Sequence, residues 1–340
     1  SDMGRIINLP NLDKLPLVSS FIRRQYSVDE RGDQRFTACA RLLQSIWRAD
    51  RNLPVGRHKP KKGNGRKLGS RLTKPVAETG ITFLTPEIAK LAWTQCAYRE
   101  PGALIDEERL WGNLLSSQAL TFNLFALASF QLSLADKIFS ALAPQIIHAV
   151  HRVRFEHSPG RGDPAYLGDH TAFDVVVEGL APDGSNAVLA IEVKYSEQSG
   201  QTYRAATDLI RQRAEEASFY PAVDDEAFTN PLTAQLIAEH LLADRIRINA
   251  NEPTTVGFMI ISPKDNAFAQ SSCRAYRQLL ENAETIAVPF MERTLEECIE
   301  VIGMAGAGDL EARLRERYTD FTPIRLLVEE WQPAGPAKSG

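Results

Sequence analysis

The spacing of apolar residues divides the chain into helical ends and a middle that alternates like a sheet. Between about Asp33 and Arg51, Phe36, Ala40, Leu43, Ile46 and Trp47 recur at helical intervals, which predicts a helix with one buried face. Leu84-Thr85-Pro86-Glu87 carries the marks of a helix start, a threonine N-cap followed by proline at the first helical position, and predicts a helix to Tyr98. Pro101-Gly102 ends it. From about Asp106 to Leu142 the pattern is helical again, with a break expected near Gly112. Within that region LLSSQALTFNLFALASF is apolar on more than one face, as a central helix would be. Its polar exceptions are Ser116, Ser117, Gln118 and Asn123.

After Pro144 the period shortens. Ile146 to Glu156 reads as a first strand, and Phe173–Glu178 and Ala187–Tyr195 read as two more, joined by the turn-forming run Ala181-Pro182-Asp183-Gly184-Ser185-Asn186. Ser199 to Phe219 predicts a helix, a helical insertion follows at about Pro231–Arg247, and Thr254–Ser262 predicts a core strand. Beyond it come a helix at Asn266–Asn282, a strand at Ala283–Met291, and a helix from Thr294 to Ile302 with Glu297 completing a capping box. Gly303 to Gly308 is glycine-rich, but it has no following lysine and no preceding strand, so it reads as a connector and not a phosphate loop. A short charged helix is expected at Asp309–Tyr318 and a disordered tail at Pro333–Gly340.

Composition narrows the function classes. At 340 residues the chain can bury a sizeable core. No apolar run approaches the roughly 20 residues of a membrane span, and the polar beginning is unlike a signal peptide, so a cytoplasmic protein with no membrane partner is expected. Cys39, Cys96, Cys273 and Cys298 stand far apart, which argues against a zinc ribbon or a disulfide framework. His148 and His151 would point to opposite faces of a strand and would not share a metal. The net charge is only −4, but Arg57 to Lys74 carries eight Lys/Arg and no acid. With its Pro, Gly and Asn, that segment reads as a loop able to track a phosphate backbone through Lys59, Lys61, Lys62, Arg66 and Lys67.

The chemistry concentrates at Asp174, Glu192 and Lys194. Side chains alternate along a strand, so Glu192 and Lys194 share a face, and antiparallel pairing through the turn would bring Asp174 beside Glu192. Buried charges cost several kcal/mol, on the order of the penalties for unpaired ions, unless they are paired or bind a cation. Two carboxylates together repel unless a proton or a cation lies between them, and an oxygen-only donor set suits Mg²⁺. The bland alternative is a solvated Glu-Lys pair at an exposed strand end.

Phe173-Asp174 and, with Glu192 eighteen positions after Asp174, the run Glu192-Val193-Lys194 resemble the signature of the PD-(D/E)XK nuclease superfamily, with Phe173 where proline is usual. The phrase SSQALTFNLF is similar to a segment of an uncharacterised bacterial restriction-endonuclease-like branch. The resemblance implies an α/β restriction-endonuclease-like core, αβββαβ with a mixed central sheet flanked by helices. The expected organisation is an N-terminal helical extension over 1–100 holding the basic loop at 57–74, the core over 101–292 with a helical insertion at about 224–250, and a C-terminal helical segment and tail over 293–340. It further implies a Mg²⁺- or Mn²⁺-dependent nuclease hydrolysing DNA phosphodiesters in defence or repair, and family members often pair to cut both strands, which makes a homodimer one expected arrangement. Asp174, Glu192 and the carbonyl of Val193 would hold the metal and Lys194 would orient or activate water. Gln118, with Glu108 second, would be the extra group from the preceding helix, and Arg161, Tyr203 and Gln212 would join the basic loop in binding substrate. The Gln-x-x-x-Tyr motif of RecB-like exonucleases is absent at Gln212. The alternative reading is a nuclease fold kept for binding nucleic acid or a protein partner, with little catalysis.

Overall fold

The computed structural model describes residues 15–60, 63–103, 105–198 and 206–331. Its first part contains α1 (Ser20–Gln25), α2 (Arg35–Asp50), strands β1 (Val55–His58) and β2 (Arg66–Leu72), α3 (Lys74–Ala77), α4 (Pro86–Ala97), α5 (Glu107–Gly112), α6 (Ser117–Phe130) and α7 (Leu132–Leu142). Five strands then lie side by side in chain order: β3 (Ala149–His157), β4 (Phe173–Leu180), β5 (Asn186–Val193), β6 (Thr254–Ser262) and β7 (Phe290–Thr294). Between β5 and β6 come α8 (Asp208–Glu216), α9 (Asp225–Thr229) and α10 (Ala234–Ile248), and α11 (Ala267–Leu279) joins β6 to β7. The chain closes with α12 (Leu295–Met304), α13 (Gly308–Leu314), a π-helical turn at Arg315–Thr319 and α14 (Thr322–Glu330).

The sheet is mixed. β3, β4 and β5 pair antiparallel, and β5, β6 and β7 pair parallel. Parallel neighbours need long crossovers, which the helices after β5 and β6 supply. Alternation along β5 sends Leu189, Ile191 and Val193 to one face, into a core shared with Phe36, Trp47, Phe122, Phe139, Ile302 and Tyr318. That core joins α2, α6, α7 and the C-terminal helices, and Phe122 stacks on Phe155 of β3 at 4.8 Å. The opposite face sends Val176, Ala190, Phe258 and Ile260 against Ile210, Ile237, Leu241 and Tyr276 of α8, α10 and α11. Asp174, Glu192 and Lys194 belong to this second face.

The predicted helix at Asp106–Leu142 is present as α5, α6 and α7, with the break after Gly112. Ser116 caps α6 by accepting from the amide of Ala119, and Thr85 caps α4 in the same way through Ile88. The capping box of Thr294 and Glu297 is formed in both directions. Two expectations need correction. The basic segment is a β-hairpin and not a loop, because its glycines serve close packing: a Cβ on Gly69 would collide with the carbonyl of Tyr26 and the hydroxyl of Ser45. Arg48 of α2 donates to the Gly69 carbonyl at 2.9 Å and Arg41 to the Ser70 hydroxyl at 3.0 Å, so α2 holds the hairpin. The strand expected at Ala283–Met291 lies further along, as β7 at Phe290–Thr294, whereas the helical segment expected at Pro231–Arg247 is present as α10, packed on β6 over the charged face. Lys61, Lys62, Tyr203 and the tail at 333–340 lie outside the described residues.

Candidate active site

Three strand ends and two helices build the site. Val175 pairs with Ile191, so Asp174 falls opposite Glu192 one step further on. The Asp174 carboxylate accepts from the amide of Val193 at 2.7 Å, tying the two strand ends together. Lys194 donates from Nζ to Glu192 Oε1 at 2.6 Å and to Gln235 Oε1 at 3.0 Å. Gln235, on the first turn of α10, donates in turn to Glu192 Oε1 at 2.9 Å and to Glu239 Oε1 at 2.6 Å, one helical turn along. Glu192 is 6 % exposed, which excludes the solvated ion pair at a strand end.

On the other side of Asp174, Glu156 near the end of β3 shares a hydrogen bond with it and accepts from Gln118 Nε2 of α6 at 2.8 Å. Glu156 sits at φ +47°, in the left-handed region that a non-glycine residue enters at a cost of order 1–3 kcal/mol. The kink falls between Phe155, which pairs with Val175, and His157, which pairs with Phe173. Arg161 donates to the Glu156 carbonyl at 3.3 Å and braces it.

The electrostatics are those of a crowded acidic pocket. Burial raises the Asp174 carboxyl well above the ordinary range, and Glu192 and Glu156 push it further, against the opposing pull of Lys194 and the Val193 amide. Burial, reinforced by Glu192, pushes Glu156 up to about 7, although Gln118, Arg161 and Asp174 favour its ionised form. Glu239 is likewise raised by burial and then by Glu192, and its Oε2 finds no hydrogen-bond partner among the described residues. Lys194 moves upward: burial alone would lower it, but Glu192, Glu239, Glu197 and Asp174 together hold its charge. It is therefore an ammonium at neutral pH, suited to holding water or negative charge and not to taking up a proton. A cavity of about 80 Å³ adjoins it, walled by Gln235, Leu232 and Ser272.

Of the sequence-predicted residues within the described segments, Asp174, Glu192, Val193, Lys194 and Gln118 are brought together, Arg161 touches the cluster through the Glu156 carbonyl, and Gln212, Arg66, Lys59, Lys67 and Glu108 lie elsewhere. Arg161 is buried in an ion pair with Glu100 and bonds to the carbonyls of Gly102 and His170. Gln212 is exposed on α8 and donates to Glu216. Arg66 pairs with Glu30, while Lys59 and Lys67 are exposed on the hairpin. Glu108 lies by a separate cavity near Trp111. Glu156, Gln235 and Glu239 were not singled out by sequence. The legible signal for the last two was a polar pair four residues apart in the otherwise apolar run AQLIAEHLLA.

Among the described residues, no group of three or more His, Cys, Asp or Glu is arranged as a ready metal centre. The donor chemistry nevertheless fits a hard divalent cation that keeps several waters. Asp174 and Glu192 face one another through adjacent strands, the charge of Glu192 raises the cost of ionising Asp174, and both offer only oxygen.

The mixed sheet, its strand order and its helices on both faces define an α/β protein of restriction-endonuclease-like fold. A family model described as the PD-(D/E)XK nuclease superfamily matches residues 31–320, and the chain belongs to that superfamily. No curated protein and no solved structure gives a significant match.

Proposed function

We propose that the protein is a Mg²⁺- or Mn²⁺-dependent nuclease that hydrolyses phosphodiester bonds in DNA, in a defence or repair role. The observation that carries this reading is the convergence of Asp174, Glu192 and Lys194 at adjoining strand ends, with Glu192 buried among groups that share its charge. Asp174, Glu192 and the Val193 carbonyl are the residues that would hold the cation. When bound, the cation would supply Lewis-acid stabilisation of the charge on the phosphate and acidify the attacking water. Lys194, fixed by Glu192 and Gln235, keeps an ammonium where the water and the phosphate oxygens must approach, with its third N–H left to donate to one of them. Gln118 holds Glu156 against Asp174 and so sets the carboxylate's orientation. Gln235 does the same for Lys194 and Glu192 from the opposite side.

The test presents linear, circular and single-stranded DNA, and RNA, to the purified protein with Mg²⁺ or Mn²⁺. Wild type is expected to cut DNA only with a cation, and Lys194→Ala to lose at least about 100-fold in rate, the scale of removing one group that stabilises developing charge. Full cleavage by Lys194→Ala would defeat the assignment.

A further inference from the structure

We propose that the groove beside edge strand β3 binds an unpaired nucleic-acid strand and leads it to the carboxylate cluster. The proposal rests on the nuclease reading for its reaction but not for binding. A cavity of about 280 Å³ lies between the end of α4 and β3, lined by Tyr98, Arg99, Arg152 and Arg154 and by Glu100, whose carboxylate is already held by His157 and Arg161, and it reaches Glu156 of the site itself. Among the described residues, no strand pairs with the outer side of β3.

The groove's chemistry is that of a strand-binding surface. Tyr98 is 85 % exposed, a ring with no packing duty and with faces free to stack on a base. Arg152 and Arg154 share one carboxylate, Glu178, at 3.8 Å and 3.3 Å, so two guanidiniums meet one negative charge. The excess positive charge is available to a phosphate, and Arg152 is the looser and more exposed of the two. Arginines on an edge strand also discourage aggregation, but that duty does not require an exposed tyrosine beside them.

The pattern continues away from the site. Arg99 pairs with Glu107 at 3.3 Å, and Glu107 also lines a neighbouring cavity of about 700 Å³. There Trp93 is 50 % exposed, with Trp111 at 5.4 Å on one side, among Arg57, Lys59 and Lys74 and the carboxylates of Glu78, Glu107 and Glu108. Exposed rings interleaved with basic groups thus follow α4 from the hairpin to Glu156. Rings stack only on bases that are themselves unpaired, because a duplex hides their faces in its own stack. The ligand class is therefore single-stranded nucleic acid, with deoxyribose or ribose left to the measurement.

Fluorescence anisotropy of the full chain without divalent cation tests this, using a labelled single-stranded DNA oligomer, the same sequence as RNA, and a hairpin duplex. Wild type is expected to bind one or both single strands more tightly than duplex. Tyr98→Ala should weaken single-strand binding ~10-fold. Arg152→Gln should reduce the slope of log K against log salt by about 0.7, the loss of one phosphate contact. Both positions are exposed, and thermal unfolding checks that the fold is kept. Variants that bind like wild type, or a duplex bound as tightly as the strands, would overturn the groove assignment; if wild type still cuts DNA, the nuclease reading survives that failure. Strand binding that depends on Tyr98, together with no cleavage under Mg²⁺ or Mn²⁺, would support the groove and remove the nuclease reading instead.

Discussion

Two buried polar clusters, one on each side of the sheet, are built on opposite principles. On the side to which Leu189 and Ile191 point, Arg317 is fully enclosed, yet each of its three guanidinium nitrogens has a neutral acceptor: the side chain of Gln44, and the carbonyl and hydroxyl of Thr82 at 3.0 and 3.1 Å. Gln44 returns a bond to the Arg317 carbonyl at 2.7 Å, and Trp47 lies against the cation at 4.2 Å. On the other face burial and the charge of Glu192 raise the cost of ionising Asp174, Glu156 and Glu239 around a single lysine. The first cluster is closed and satisfied, so it stabilises the fold. The second crowds four carboxyl groups around one ammonium, so they ionise together only at a cost that a bound cation would offset, which is what a cation-binding site needs.

The largest effect expected from this contrast is at Arg317. Arg317→Met leaves the side chains of Gln44 and Thr82 without their buried donor and should lower the unfolding free energy by ~3 kcal/mol, measured in urea. A loss below about 0.5 kcal/mol would show that the cluster is not structural.

His240 supplies a buried group of a third kind, kept neutral. Burial holds its pKa down at about 4, while its ring bonds to the Tyr276 hydroxyl and the Val288 carbonyl, each at 2.7 Å. A base depressed in the folded state costs nothing above its unfolded pKa near 6.5. Stability is then lost as the pH falls from there to about 4, by ~3 kcal/mol in all. The difference in stability between wild type and His240→Gln should therefore shrink over that window, and a constant difference would contradict the burial argument.

A smaller effect of opposite sign belongs to the carboxylate cluster. Because its neighbours and burial raise the Asp174 pKa, the ionised form costs stability at neutral pH, and the cost fades as acid protonates it. Asp174→Asn keeps an oxygen for the Val193 amide and should raise Tm by a few degrees, the response to about 1 kcal/mol. A fall in Tm would mean that the charge is already balanced.

What was legible in the sequence follows from how local its cause is. Asp174, Glu192 and Lys194 could be placed together because strand alternation and one turn fix their register. The capping box at Thr294 and the break after Gly112 depend on neighbours in sequence, and both were readable. The hairpin was not, because Gly69 is required by contacts with Tyr26 and Ser45, remote in sequence, and in isolation it resembles a loop residue. Glu156 looked like an ordinary polar position on an alternating strand, and its backbone kink has no sequence mark. Gln235 and Glu239 reach the site only because α10 crosses β6, a tertiary arrangement that the helical pattern alone does not specify.

The reading of the carboxylate cluster as a cation site is tested most directly by calorimetric titration of the full chain with Mn²⁺. Wild type should bind the ion and Asp174→Ala, with its fold verified, should lose that binding. Equal binding by the two proteins, or none by wild type, would contradict the account of the cluster as a cation site.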